Sequence, residues 1–128
     1  MEKLFSPREA ARLTGVPLTS INNWLQRARD IITAPAGNGR PRFDRRGLRI
    51  LALMSELIGH GLNPDVAAFQ AATVVDRAKD WPLVAVFSRK GGGSPCLIPQ
   101  DAMPDTGAVI MVSLAPLFRR IDEAIGIV

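Results

Sequence analysis

Ser6-Pro7-Arg8-Glu9-Ala10-Ala11-Arg12-Leu13-Thr14-Gly15-Val16-Pro17 carries one complete short helix and the start of the next. Ser6 and Glu9 have the spacing of a capping box, and Pro7 falls at the first helical position, where its missing N–H leaves no bond unmade. The small Ala10 and Ala11 allow a neighbouring helix to come close. Gly15 stops the segment, because a residue without a Cβ enters the left-handed region freely. Pro17 pre-sets the following helix start, with Thr19 or Ser20 available as capping oxygens. Leu18, Ile21, Trp24, Leu25 and Ala28 then recur near helical spacing and predict the buried face of a second helix.

Downstream, Ala36-Gly37-Asn38-Gly39 is a turn rich in residues that tolerate positive φ, and Arg40-Pro41-Arg42-Phe43 returns from it. Two helices joined by a tight turn and followed by an arginine-bearing hairpin have the layout of a winged helix-turn-helix. Asp44 is placed to cap a third helix, with Leu48, Leu51, Met54, Leu57 and Ile58 on its apolar faces and Gly59-His60-Gly61 as its stop. Asn63 and Pro64 open a fourth, expected to run to about Ala78 through Val66, Phe69, Val74 and Val75.

Charge is divided unevenly along the 128 residues. Residues 1–50 hold ten Lys or Arg against four Asp or Glu, a net +6; residues 51–128 hold six against eight, a net −2. A polyanionic partner explains such a concentration of cations, since each phosphate contact releases counterions. The face of the second helix opposite its apolar stripe is Thr19, Ser20, Asn22, Asn23, Gln26 and Arg27. These amides and hydroxyls can read base edges or hold phosphates, and an asparagine can bond adenine N6 and N7 together. Arg40 and Arg42 would project from the hairpin toward the phosphate backbone or the minor groove, while Phe43 anchors its base. Arg45, Arg46 and Arg49 sit on the first turns of the third helix, where cations oppose the helix dipole, so something other than helix stability is expected to keep them there, and phosphate contact would explain it. The expected DNA contacts are therefore Thr19, Ser20, Asn22, Asn23, Arg27, Arg40, Arg42, Arg45 and Arg46.

From Phe5 to about Ala72 the chain resembles the DNA-binding domain of the MerR family. The resemblance rests on Phe5-Ser6, Glu9-Ala10-Ala11, Leu13-Thr14-Gly15-Val16, Ser20-Ile21, Trp24, Gly39, Phe43, Leu48, Leu51 and Gly61-Leu62-Asn63. Excisionase-like members of the same winged superfamily share its opening. By position it implies that Thr19, Ser20, Asn22 and Asn23 lie on the DNA face of a recognition helix, and Arg40 and Arg42 on the wing. This chain differs in carrying Asn22-Asn23-Trp24 where MerR-type helices commonly have an Arg-Tyr run. Pro41 occupies the usual wing arginine position. Nothing after residue 78 matches the family's long dimerisation helix, so activation by twisting a promoter spacer is not implied.

Residues 79–128 read as a small α+β unit. Leu83 to Ser88 is a β-branched and aromatic run leading to the Arg89-Lys90-Gly91-Gly92-Gly93-Ser94 loop; Cys96 to Ile98 and Ala108 to Ser113 give two more strands; Ala115 to Gly126 reads as a helix with Leu117, Phe118, Ile121 and Ile125 on one face. About three short strands and one helix bury little alone, so pairing with a second copy is expected to complete this unit. The fold expected is a mainly α winged helix-turn-helix with four helices and a β-hairpin wing over residues 1–78, followed by the α+β dimerisation or interaction unit.

Other chemistry has little support in these residues. Cys96 and His60 are the only cysteine and histidine, which leaves no intramolecular disulfide, CxxC motif or thiolate-rich metal site. The triple-glycine loop lacks the P-loop spacing, and no carboxylate pair or Ser/His/Asp set suggests catalysis. No apolar run approaches the roughly 20 residues that span a bilayer, and no secretory signal opens the chain. The sequence thus predicts a cytoplasmic, nucleoid-associated regulator that binds double-stranded DNA, a dimeric repressor without cofactor, metal or catalytic residues. An excisionase-like architectural protein and an antitoxin-like adaptor, binding a protein through residues 79–128, are the alternatives.

Overall fold

The computed structural model describes residues 3–35, 39–77, 83–88, 95–99 and 109–126. These form a mainly helical fold: α1 (Pro7–Thr14), α2 (Leu18–Ile32), α3 (Arg45–Gly59), α4 (Pro64–Arg77) and α5 (Leu114–Ala124), with strands β1 (Leu83–Ser88), β2 (Cys96–Pro99) and β3 (Val109–Ser113). Local chemistry sets most helix ends. Ser6 Oγ accepts the Glu9 N–H at 3.2 Å and Glu9 Oε1 accepts the Ser6 N–H at 3.0 Å, closing the capping box. Gly15, at φ 77°, donates to the Ala11 carbonyl, and the Thr14 hydroxyl donates to Ala10 O at 2.7 Å while accepting the Val16 N–H. Asp44 Oδ1 caps α3 by accepting the Gly47 N–H at 2.7 Å, and Asn63 Oδ1 accepts the Val66 N–H at 3.0 Å at the start of α4. α2 differs from expectation: it begins directly after Pro17 with no side-chain cap, so Thr19 and Ser20 lie inside the helix rather than at its cap.

Near its C-terminus α2 kinks at Ala28, whose φ of −142° and ψ of 31° are not helical. Beyond the kink the last turn meets the beginning of α3. Gly47 packs there so closely that a Cβ would lie 2.6 Å from the Ile32 carbonyl oxygen and 3.3 Å from the Phe43 ring. Backbone cannot yield as a flexible side chain can. Gly47→Ala is therefore expected to destabilise the fold by about 1–3 kcal/mol, the usual cost of overpacking; an unchanged urea midpoint would show that the α2–α3 contact is looser than this geometry.

The segment expected to form a wing also differs from a regular hairpin. Among the described residues, its arms share one backbone bond, Ala34 N–H to Arg42 O at 2.9 Å, in place of a ladder. Pro35 and Pro41, one on each arm, have no N–H to donate. Arg29 compensates by reaching from α2 to the Gly39 carbonyl. At the base, Phe43 and Phe5 form an antiparallel bridge, each N–H donating to the other's carbonyl at 2.8 Å. The expected Ala36-Gly37-Asn38 turn and the loop from Arg89 to Ser94 lie outside the described residues.

In α4 the alanines Ala67, Ala68, Ala71 and Ala72 are buried and bring the helix close to α2 and α3, leaving Phe69 62% exposed on the other side. β1 is the central strand of an antiparallel sheet ordered β2-β1-β3, with Ala85 between Leu97 and Val112, and Phe87 opposite Ile110. Ala85, Phe87, Ile110 and Val112 are buried and share one face, as alternation along a strand requires. Leu117, Phe118 and Ile121 of α5 are buried as well, where α5 packs on α3, α1 and β1. This helix thus packs against elements of the first half of the chain. A single contiguous core joins residues of both halves. Among the described residues, no helix is long and apolar enough to cross a membrane.

Candidate nucleic-acid interface

The buried side of α2 is Ile21, Trp24, Ala28 and Ile32. Because residues three and four apart share a helix face, this stripe forces Thr19, Asn22, Asn23 and Gln26 outward, and all four are exposed. Ser20, beside them, is half-buried. None of the five makes a side-chain hydrogen bond among the described residues, so their donors and acceptors face solvent. Arg27 is exposed and lies 3.5 Å from Asp65 of α4. With both side chains at least half exposed, that pair holds Arg27 weakly and leaves it available to a stronger anion. An open cleft of about 430 Å³ runs alongside, lined by Ser6, Pro7, Arg8, Leu18 and Asn22.

Arg40 is exposed; Arg42 is half-buried and its guanidinium donates to the neighbouring Pro41 carbonyl at 3.1 Å. The clamp from Arg29 ties this loop to the end of the helix that carries Asn22 and Asn23.

The arginines that begin α3 have partners within the fold. Arg46 grips Asp76 of α4 through Nε and Nη2, at 2.6 and 3.0 Å, and donates from Nη1 to the Ile31 carbonyl at 3.1 Å. It thereby fastens the ends of α2 and α4 to the start of α3. The hydrogen bond raises the Arg46 pKa and holds the Asp76 carboxyl below its usual value. Arg45 makes a two-pronged bond to Asp122 of α5, at 2.8 Å from Nε and 2.7 Å from Nη2. Arg49 reaches the same carboxylate at 3.0 Å and lies 4.6 Å from the Phe118 ring centroid. Burial opposes ionisation of Asp122, but hydrogen bonds and charge from the two arginines outweigh it and lower its pKa. Arg45, Arg46 and Arg49 thus each have a carboxylate partner within the fold, because Asp76 and Asp122 are distant in the chain and near in the fold.

Neither protein-family models nor curated proteins match this chain.

The fold adds Arg8 to the residues singled out from sequence. It is exposed on the first turn of α1 and shares the cleft with Asn22. The signal was present: an arginine at a helix start opposes the dipole, as it does at residues 45 and 46. Together these groups offer a solvent-facing row of amides and hydroxyls on α2, with Arg8 beside Asn22 and Arg27 on the same helix. Such a surface suits hydrogen bonding to base edges and phosphates.

Proposed function

We propose that this chain is a sequence-specific DNA-binding regulator in which α2 enters the major groove and the loop from Gly39 to Arg42 grips the backbone beside it, as in a winged helix-turn-helix. The observation that carries this reading is the row Thr19, Asn22, Asn23 and Gln26, exposed on one helix face without a partner among the described residues. A face that served only solubility would need no amides at consecutive turns; asparagine and glutamine are the side chains that bond adenine in two-pronged fashion. Arg8, Arg27, Arg40 and Arg42 supply the flanking charge, with Thr19 and Ser20 as hydroxyl donors. Repression by occupying a promoter follows from this mode of binding. A homodimer through residues 79–128 would place two such helices on adjacent half-sites, using surfaces other than the α5 face already packed on α3.

Selection of genomic fragments by the purified protein at about 150 mM salt tests the reading, because counterions screen weak charge contacts there. Enrichment of a few fragments with a common motif is the expected result. Uniform retention, or none, would overturn specific recognition. On an enriched site, Arg40→Ala and Arg42→Ala are expected to weaken binding on all sequences alike and to flatten the salt slope by about one unit for each phosphate no longer gripped. A slope equal to that of the unaltered protein would remove the wing from the interface.

A further inference from the structure

The Arg45–Asp122–Arg49 cluster joins the two halves of the chain across 77 and 73 positions of sequence. Asp122 and Arg49 are nearly enclosed, with side chains 9% and 12% exposed, whereas Arg45 is 38% exposed. One carboxylate serves two guanidiniums, and of the three side chains Arg45 is the one most open to solvent. Arg45 is also the first residue of α3, where the helix dipole favours an anion, and it follows Phe43 and Asp44 at the base of the wing.

A long arginine side chain normally loses rotamer freedom when it binds a phosphate, which reduces the affinity gained. Here the in-plane bond through Nε and Nη2 has already removed much of that freedom in the free protein. Arg49, lying over the Phe118 ring, donates to both oxygens of the same carboxylate and gives it a second, more deeply buried anchor. The carboxylate is therefore a fixed buttress for a partly exposed cation.

From this geometry we infer that Asp122 is a positioning residue, by which α5 presents Arg45 to a DNA phosphate next to the wing. The inference rests on the DNA-binding reading and deepens it: the C-terminal unit becomes part of the interface through a residue that touches no DNA itself. Displacement of α5 would loosen Arg45 and weaken binding.

The test uses the full chain and a DNA site enriched in the selection, with affinity measured at several salt concentrations and thermal unfolding recorded for each variant. Asp122→Asn is expected to weaken binding by about three- to tenfold at temperatures where the protein stays folded, the size expected when one long side chain must be ordered on binding. Arg45→Ala combined with Asp122→Asn should bind no more weakly than Arg45→Ala alone, since the aspartate acts through the arginine. Asp122→Glu should recover part of the affinity. Arg45→Lys, which keeps the charge and the exposed position but has no planar fork, is expected to bind almost as weakly as Arg45→Ala; it also decides the matter should Asp122→Asn fail to fold. Binding by Asp122→Asn equal to or tighter than that of the unaltered protein would overturn the inference, as would unchanged affinity for Arg45→Lys. Those outcomes leave the DNA-binding reading standing, whereas absence of DNA binding by the unaltered chain would overturn both.

Discussion

Phe43→Ala is expected to lower the unfolding free energy by about 3–5 kcal/mol, the range for deleting a buried aromatic ring. Phe43 has no exposed surface, and its ring faces the site where Gly47 admits the end of α2. Its backbone also holds the N-terminal segment through both bonds of the Phe5 bridge. Removing the ring opens a cavity where the wing base, α2 and α3 meet, and close packing elsewhere in the core limits how far neighbours can collapse into it. Urea unfolding checks the effect, and a decrease below about 1 kcal/mol would mean that the wing base contributes little to the core. DNA affinity should fall as well, because Arg42 directly precedes Phe43 and Arg45 follows two residues later.

Asn22→Ala and Asn23→Ala carry the second large effect, on recognition rather than stability. Both residues are exposed, so folding should change little. Each variant is expected to lose discrimination at particular base pairs by about 1–3 kcal/mol, the worth of one two-pronged contact. Competition with a panel of single-base variants of the selected site measures this directly. Equal weakening on every sequence would refute base reading by these asparagines and leave α2 as a backbone contact.

Agreement between sequence and fold follows the range over which each interaction acts. The capping box at Ser6 and Glu9, the left-handed Gly15, and the caps at Asp44 and Asn63 depend on atoms within a few residues, and all were legible in the chain. The three strands and α5 were also legible, from β-branched and aromatic runs and from helical spacing. At α2 the start after Pro17 was legible but the cap was not, because the helix begins without help from Thr19 or Ser20. In α4, close packing uses the small alanines and leaves the Phe69 ring outward. Two prolines kept the wing arms from forming the expected ladder.

The candidate surface divides along the same line. That Thr19, Asn22, Asn23 and Gln26 point away from Ile21 and Trp24 is a consequence of 3.6 residues per turn, and periodicity alone was enough to place them. Which arginines are bound up within the fold was beyond periodicity. Arg45 and Arg46 look alike in the chain, adjacent and equally charged, but one meets Asp122 on α5 and the other Asp76 on α4. Their roughly 100° separation around α3 sends them to different neighbours. Sequence determined the helices, their faces and the basic half, because short-range hydrogen bonds and burial periodicity are written residue by residue. Only tertiary packing decided the kink at Ala28, the seating of α5 on α3 and the partner of each arginine, because those depend on which distant carboxylates and backbone atoms the folded chain brings within bonding distance.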